Sequence, residues 1–126
     1  MLDNMEKIRV LVAESHSPLR HTLRKLLENH PRIEVVAEAD TEKDAISWAV
    51  FYQPDVMLVD GDSHNLDCFR TTLSVKSRLP KIKIVLIADE DNDEYRDAAQ
   101  NSGASACIAK SRMDKDLVGV IKSILK

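Results

Sequence analysis

Acidic side chains and an ammonium group stand directly after short apolar runs in this sequence. Glu14, Asp60 and Asp89 each follow such a run, and Lys110 follows another. Mg²⁺ is held in proteins by a few carboxylates, a carbonyl oxygen and water, and it also coordinates the oxygens of a transferring phosphoryl group. A carboxylate beside such an ion can act as a nucleophile and form an acyl phosphate. Lys110 would supply the remaining positive charge, so phosphoryl chemistry is possible if these residues meet.

The apolar runs have the composition of β-strands that are covered on both faces, because they are short, continuous and rich in Val and Ile. They predict strands at residues 8–13, 33–37, 56–59, 82–88 and 104–109. Each strand is followed by a segment whose apolar residues recur at helical spacing. The sequence therefore alternates between strand and helix from end to end.

Capping residues predict where several of the helices begin and end. Ser17 and Pro18 predict the N-cap and first residue of the first helix, and Thr41 with Asp44 resembles a capping box at the start of the second. The third helix is predicted over 66–78, with Leu66, Phe69 and Leu73 facing inward, the fourth over 91–102 before Gly103, and the fifth from near Ser111.

Strict alternation with short connections predicts parallel strands joined by right-handed crossovers. The expected fold is an α/β domain with a five-stranded parallel sheet and five helices on its two faces. The chain has 126 residues, which suits a single domain, 1–126. In such a sheet, ligands bind at the carboxyl ends of the strands. Glu14, Asp60 and Lys110 are therefore expected at one edge.

Composition argues against several classes of protein. The net charge is −3 and the charges are interspersed, so direct binding to nucleic acid is not expected. Cys68 and Cys107 are far apart and lack C-x-x-C spacing, which argues against a zinc site or a disulfide framework and favours a reducing cytoplasm. No apolar run approaches the roughly 18 residues of a membrane span, and the polar N-terminus does not resemble a signal peptide.

At these residues the sequence resembles the receiver domain of two-component response regulators, over about residues 7–126. The segment "PDVMLVDGDSHNLD" is similar to the third strand and phosphoacceptor loop of that family, "GASACIAKS" to its fifth strand and lysine, and "IRVLVAESHSPLR" to its first strand and acidic pair. The "SHSPLR" segment and the Lys110-Ser111 pair resemble receivers of the NarL/LuxR type. The resemblance implies the flavodoxin-like strand order 2-1-3-4-5.

The resemblance also implies roles for individual residues. Asp60 would accept a phosphoryl group from a histidine kinase, and Lys110 would contact the phosphate. Mg²⁺ would be held by Glu14, Asp60 and the backbone carbonyl of Asp62, with Ser15 as a weak substitute for the usual aspartate. Such a domain is a signalling module and not an enzyme, beyond its own phosphorylation and dephosphorylation.

The resemblance further implies partners. The fourth helix, fifth strand and fifth helix would contact a partner protein, a second copy of the chain in a homodimer, or an output domain. In regulators of the NarL/LuxR type that output is a DNA-binding helix-turn-helix domain located after the receiver. Direct contact of the receiver itself with nucleic acid or with a membrane is not implied.

Three positions depart from the family pattern. Ser15 removes one negative charge from the metal site, so Mg²⁺ should bind more weakly. At the end of the fourth strand, Ile87 is expected in place of the family's Ser or Thr, and Cys107 replaces the aromatic residue that acts as a switch on the fifth strand. Isoleucine cannot donate a hydrogen bond to a phosphoryl group, so any coupling between phosphorylation and output must use other residues.

Two alternatives remain open at this point. The first is a pseudo-receiver, in which the same fold serves as a protein-binding module independently of phosphorylation. The second is a haloacid dehalogenase-type phosphatase, because "VDGDS" is similar to the two-aspartate motif of those enzymes. Their motif usually lies near the N-terminus and requires a Ser or Thr at the end of a later strand, which residues 82–88 do not provide.

Overall fold

We describe a computed structural model of the protein over residues 6–62, 66–89 and 92–126. The strands are β1 (Ile8–Ala13), β2 (Ile33–Ala39), β3 (Val56–Asp60), β4 (Lys83–Ala88) and β5 (Ala106–Ala109). The helices are α1 (Ser17–Glu28), α2 (Glu42–Tyr52), α3 (Cys68–Arg78), α4 (Asp93–Ser102) and α5 (Met113–Ile124), with a short 3-10 helix at Lys110–Arg112. The predicted alternation of strands and helices is confirmed.

All five strands form one parallel sheet in the order β2-β1-β3-β4-β5, as predicted. In its register Asp60 lies opposite Ile87, and Ala88 lies opposite Ala109. The strands β3, β4 and β5 therefore end at nearly the same level of the sheet. This register brings the residues that follow the strands to a single edge of the sheet.

The core has two layers because the central strands are covered on both faces. Along β3, Met57 and Val59 pack in the layer that also contains buried residues of α2, α3 and α4. Val56 and Leu58 pack in the opposite layer, with α1 and α5. Successive strand residues point to opposite faces, so a continuous apolar run is what a strand needs when helices cover both sides.

The predicted helix boundaries are partly confirmed. The N–H of Asp44 donates to Thr41 Oγ1 at 3.1 Å, as the capping pattern predicts, and Gly103 ends α4 with a φ of 102°. The prediction for Ser17 was wrong, because His16 is the N-cap of α1 and Ser17 is already helical. Pro18 still lies in the first turn, where no backbone N–H is needed.

The inward face of α3 differs from the prediction. Leu66 is buried and Phe69 packs against the core, but Leu73 is 55% exposed. The buried face is formed by Cys68, Thr71, Thr72 and Val75. The two threonines are polar, so the apolar pattern of the sequence did not indicate that they are buried. Thr72 can be buried because its hydroxyl donates a hydrogen bond to the Cys68 carbonyl within the helix, at 2.7 Å.

Several element ends shift by a few residues from the predicted ones. The strand β2 extends to Ala39, β3 includes Asp60, and β4 and β5 begin later than predicted, at Lys83 and Ala106. Ser111 does not start α5, because the 3-10 turn intervenes. The predicted start of the fourth helix, residue 91, lies outside the described residues.

The contrast between a buried and an exposed leucine tests this core. We expect Leu86→Ala, in fully buried β4, to lower the free energy of unfolding by about 2–5 kcal/mol, because it leaves a cavity between two packed layers. Leu73→Ala removes a side chain of the same type from an exposed position and should change stability by no more than about 0.5 kcal/mol. Urea unfolding followed by circular dichroism measures both. Equal losses would mean that the sheet is not packed as described.

Candidate active site

The carboxyl edge of the sheet forms a polar cavity of about 280 Å³. It lies where β1, β3, β4 and β5 end, and the residues that follow these strands line it. The lining residues are Glu14, Ser15, His16, Leu19, Asp60, Asp62, Asp89 and Lys110. The predicted meeting of Glu14, Asp60 and Lys110 is therefore observed.

Lys110 is the cation at the centre of the cavity. Its Nζ atom lies 3.1 Å from Asp60 Oδ1, 3.4 Å from Asp89 Oδ1 and 3.6 Å from an Asp62 carboxylate oxygen. Burial alone would lower the pKa of Lys110, but the contacts with Asp60, Asp89 and Asp62 outweigh it and raise that pKa. Lys110 is therefore charged at neutral pH and neutralises part of an otherwise acidic cavity.

Asp60 ends β3 with its side chain only 4% exposed. The N–H of Asp62 donates to Asp60 Oδ1 at 2.9 Å, and the ammonium group of Lys110 contacts the same oxygen. Burial alone would raise the pKa of Asp60, but the hydrogen bonds with Glu14, Asp62 and Lys110 lower it below its usual value. The result is an ionised and oriented carboxylate, which is the form that can act as a nucleophile.

Glu14 is completely buried at the end of β1. The N–H of His16 donates to Glu14 Oε2 at 2.9 Å, whereas Oε1 is buried without a hydrogen-bond donor. Burial and the neighbouring Asp60 carboxylate raise the pKa of Glu14 to about 8. In the absence of a cation, Glu14 is therefore mainly protonated at neutral pH, which avoids two adjacent buried negative charges.

The residues present fit a magnesium ion held by few protein ligands. The buried Oε1 atom of Glu14 has no donor and the Asp60 carboxylate is beside it, so a cation between the two would satisfy both. Within the described part of the chain, no three His, Cys, Asp or Glu side chains are grouped to hold a metal ion by themselves. Ser15 lines the cavity where a third carboxylate is usual in the family. Mg²⁺ commonly binds through one or two carboxylates and keeps several waters.

Asp62 connects two of the loops around the cavity. One of its carboxylate oxygens, Oδ2, accepts the backbone N–H of Asp89 at 2.7 Å and also lies near Lys110. The side chain therefore joins the loop after β3 to the loop after β4. That the Asp62 carbonyl binds a metal ion stays a prediction.

The residue at the end of β4 is Ala88 and not Ile87. The strand ends at Ala88, as predicted, so the residue at its end is alanine. Ile87 is fully buried in the core layer that contains α1 and α5, and its carbonyl accepts the Gly61 N–H at 2.7 Å. The chemical conclusion is unchanged, because neither Ile87 nor Ala88 carries a hydroxyl group.

Cys107 lies outside the cavity. It is half-buried on β5 and borders a separate groove of about 340 Å³ together with residues of α4, including Arg96 and Ala99. Cys107 packs against the core layer of α2, α3 and α4.

Two features of this site were not assigned from the sequence. Asp89 was expected at the edge, but its contact with Lys110 and its N–H bond to Asp62 were not predicted. Tyr95, on α4, packs on Gly61 in the loop that follows Asp60 (Gly61 and Asp62, called the Asp60 loop below), a contact that the sequence did not indicate. A glycine directly after the candidate nucleophile was the available signal, since glycine often marks a close approach of another group.

The sheet order and the position of the cavity define the class of protein, a doubly wound flavodoxin-like α/β domain with an acidic site at its carboxyl edge. The family model described as the response regulator receiver domain matches residues 10–122. This chain belongs to that family.

Curated relatives include a response regulator protein and a transcriptional regulatory protein of bacteria. The response regulator protein VraR of Staphylococcus saprophyticus is 34% identical over 117 residues, which cover 91% of this chain and 55% of that protein. The transcriptional regulatory protein DegU of Brevibacillus brevis is 27% identical over 122 residues, which cover 96% of this chain and 51% of that protein. The chain thus spans about half the length of the curated relatives it matches.

Solved structures share the fold. The signal receiver domain of the response regulator NarL from Mycobacterium tuberculosis has a TM-score of 0.83 and 26% identity, over 95% of this chain and 94% of that chain. A LuxR-family two-component response regulator from Aurantimonas has a TM-score of 0.90 and 24% identity, over 95% of this chain and 86% of that chain. Among the described residues, no helix has the length and apolar character needed to cross a membrane.

The raised pKa of Glu14 predicts a dependence of stability on pH in metal-free protein. Because this pKa rises from 4.5 to about 8 on folding, the contribution of Glu14 is full below pH 4.5 and is lost as the pH rises toward about 8. We expect the free energy of unfolding to fall by about 1 kcal/mol per pH unit across this range, and Glu14→Gln to remove that dependence.

Chemical denaturation in the presence of EDTA, at several pH values, measures this effect. Glu34→Gln, at an exposed position of β2, is the matched control and should keep the pH dependence of the native protein. If Glu14→Gln and Glu34→Gln give parallel curves, Glu14 is not protonated in the folded state.

Proposed function

We propose that this domain accepts a phosphoryl group from a histidine kinase on Asp60 and thereby serves as the receiver of a two-component system. The observation that carries the proposal is the buried, ionised Asp60 carboxylate, oriented by the Asp62 N–H and held 3.1 Å from the Lys110 ammonium group. The cavity above it is open to a small anionic group. Membership of the receiver family supports the same reading.

In the proposed step, an oxygen of the Asp60 carboxylate attacks the phosphorus atom of a phosphohistidine. The bond from phosphorus to the histidine nitrogen breaks, and its electron pair returns to the imidazole of the kinase. Lys110 balances the negative charge of the phosphoryl oxygens. A magnesium ion held by Glu14, Asp60 and the Asp62 carbonyl would neutralise further charge on those oxygens. Positioning and neutralisation account for most of the catalysis in such transfers.

The wider role follows from the relatives. DegU is described as a transcriptional regulatory protein, and a structural neighbour from Staphylococcus aureus is described as a DNA-binding response regulator of the LuxR family. We propose on this basis that the domain is a cytoplasmic signalling module and not a metabolic enzyme, with a kinase and a DNA-binding output domain as its partners. Its contact surface comprises α4, β5 and α5, and the same surface would serve a homodimer.

A pseudo-receiver is the second candidate, and specific observations favour it. Ser15 replaces a carboxylate at the metal site, Ala88 provides no hydroxyl, and Cys107 provides no aromatic ring. In that role the domain would bind its partner without phosphorylation. The phosphatase alternative is set aside, since the chain belongs to the receiver family and β4 ends without a hydroxyl side chain.

Intact mass spectrometry separates the two candidates. After incubation with Mg²⁺ and acetyl phosphate, we expect one phosphoryl adduct on the native protein and on Asp97→Asn, and none on Asp60→Asn. Asp97 is an exposed aspartate of α4 and serves as the matched control. Absence of the adduct on the native protein at high Mg²⁺ would contradict phosphorylation and favour the pseudo-receiver.

Restoring an acid at position 15 tests the metal site. We expect Ser15→Asp to tighten Mg²⁺ binding about tenfold, because one more negative charge about 4 Å from the divalent ion adds roughly 2–8 kcal/mol of attraction, most of which desolvation offsets. Isothermal titration calorimetry measures the affinity. Ser123→Asp adds the same charge at an exposed position of α5 and should leave the affinity unchanged. Equal effects of both changes would place the ion elsewhere.

A further inference from the structure

Tyr95 packs directly against the loop that follows Asp60. Its side chain extends from the first turn of α4, and a β-carbon built on Gly61 would overlap the Tyr95 hydroxyl oxygen and lie 2.9 Å from its Cζ atom. Gly61 does not have the positive φ that demands glycine. The absence of a side chain at Gly61 is therefore required by the close approach of Tyr95 and not by the backbone conformation.

The phenol of Tyr95 is held on its other sides by the start of α3. Its hydroxyl lies 3.7 Å from Cys68 Sγ, and its ring centroid lies 5.4 Å from that of Phe69. Burial raises the pKa of Tyr95 well above its usual range, and Cys107 on β5 is close enough to add to that rise. A neutral aromatic side chain from α4 thus lies between the Asp60 loop and the start of α3.

Gly61, the glycine that Tyr95 contacts, is hydrogen-bonded within the active-site edge of the sheet. Gly61 lies between Asp60 and Asp62, and its N–H donates to the Ile87 carbonyl at 2.7 Å. The next N–H, of Asp62, holds Asp60 Oδ1. A rearrangement of this loop that follows a change at Asp60 would therefore move the surface on which the Tyr95 hydroxyl lies.

The backbone of Tyr95 also takes part in the first turn of α4. The backbone N–H of Tyr95 donates to Asn92 Oδ1 at 2.8 Å, which is the N-capping hydrogen bond of this helix. Only Ala99 and Ser102 of α4 are buried, so few core contacts hold the helix in place. Elements with few buried contacts are the ones that open or shift at low cost.

We propose that Tyr95 is the positioning residue that couples the conformation of the Asp60 loop to α4. When the loop moves, Gly61 displaces or releases the phenol, and the first turn of α4 follows because Tyr95 also takes part in its cap. This route needs neither a hydroxyl at Ala88 nor an aromatic ring at Cys107. That phosphorylation of Asp60 moves the loop rests on the proposed function. The contact of Tyr95 with Gly61 does not depend on that function.

A steric test examines the coupling without phosphorylation. Gly61→Ala places a methyl group where the Tyr95 hydroxyl lies, and we expect amide hydrogen exchange over 95–102 to rise about tenfold. In a Tyr95→Ala background the same Gly61→Ala change meets no phenol and only the Ile87 carbonyl oxygen at 3.2 Å, so it should change that exchange much less. Gly119→Ala is the matched control, because a β-carbon there meets nothing within 4 Å. If Gly61→Ala changes the amide exchange of residues 95–102 equally in both backgrounds, or in neither, the proposed coupling is wrong.

A second experiment follows the phenol itself. The chain has two tyrosines, so 3-fluorotyrosine gives two ¹⁹F resonances, and that of Tyr52 on α2 is an internal reference. With Mg²⁺ and acetyl phosphate, we expect the Tyr95 resonance to shift and that of Tyr52 to stay, and Asp60→Asn to abolish the shift.

The two hypotheses fail in different ways. If mass spectrometry shows the Asp60 adduct and the Tyr95 resonance does not move, the coupling is wrong and the proposed function stands. If no adduct forms, the proposed function fails, and the Gly61→Ala comparison still decides whether Tyr95 links the loop to α4.

Discussion

The organisation of this domain depends on keeping one buried carboxylate charged. Asp60 is almost fully shielded from water, and burial alone would favour its protonated form. The Lys110 ammonium group and the Asp62 N–H stabilise the anion, while neighbouring Glu14 takes up the proton that two adjacent buried acids cannot both lose. In the proposed function, this pair receives a cation and an anionic phosphoryl group.

The parallel sheet makes this arrangement possible. Crossover connections place the carboxyl ends of non-consecutive strands side by side, so residues far apart in sequence meet at one edge. Glu14, Asp60 and Lys110 come from β1, β3 and the end of β5, and each follows an apolar run that both core layers hold firmly. Because the packed core moves little, it holds the strand ends that carry these charged groups at fixed distances.

The departures from the family pattern lie in the metal site and in the route from the site to the surface. Ser15 leaves the cavity with fewer acidic ligands, and Asp62 and Asp89 bring carboxylates to Lys110 from other strand ends. Ala88 and Cys107 provide neither hydroxyl nor ring. Tyr95 enters from α4 and contacts the same loop, so a link between the site and a surface helix is present but starts from a different element.

Local patterns in the sequence were sufficient for the fold class, the strands and the main site residues. Continuous Val- and Ile-rich runs specify strands covered on both faces, and the residue after each run marks the active edge. Tertiary packing decided the rest: it exposed Leu73 and buried Thr72, because a threonine can satisfy its hydroxyl within its own helix. It also brought Tyr95 onto Gly61. Periodicity describes one element at a time, whereas these features depend on how neighbouring elements meet.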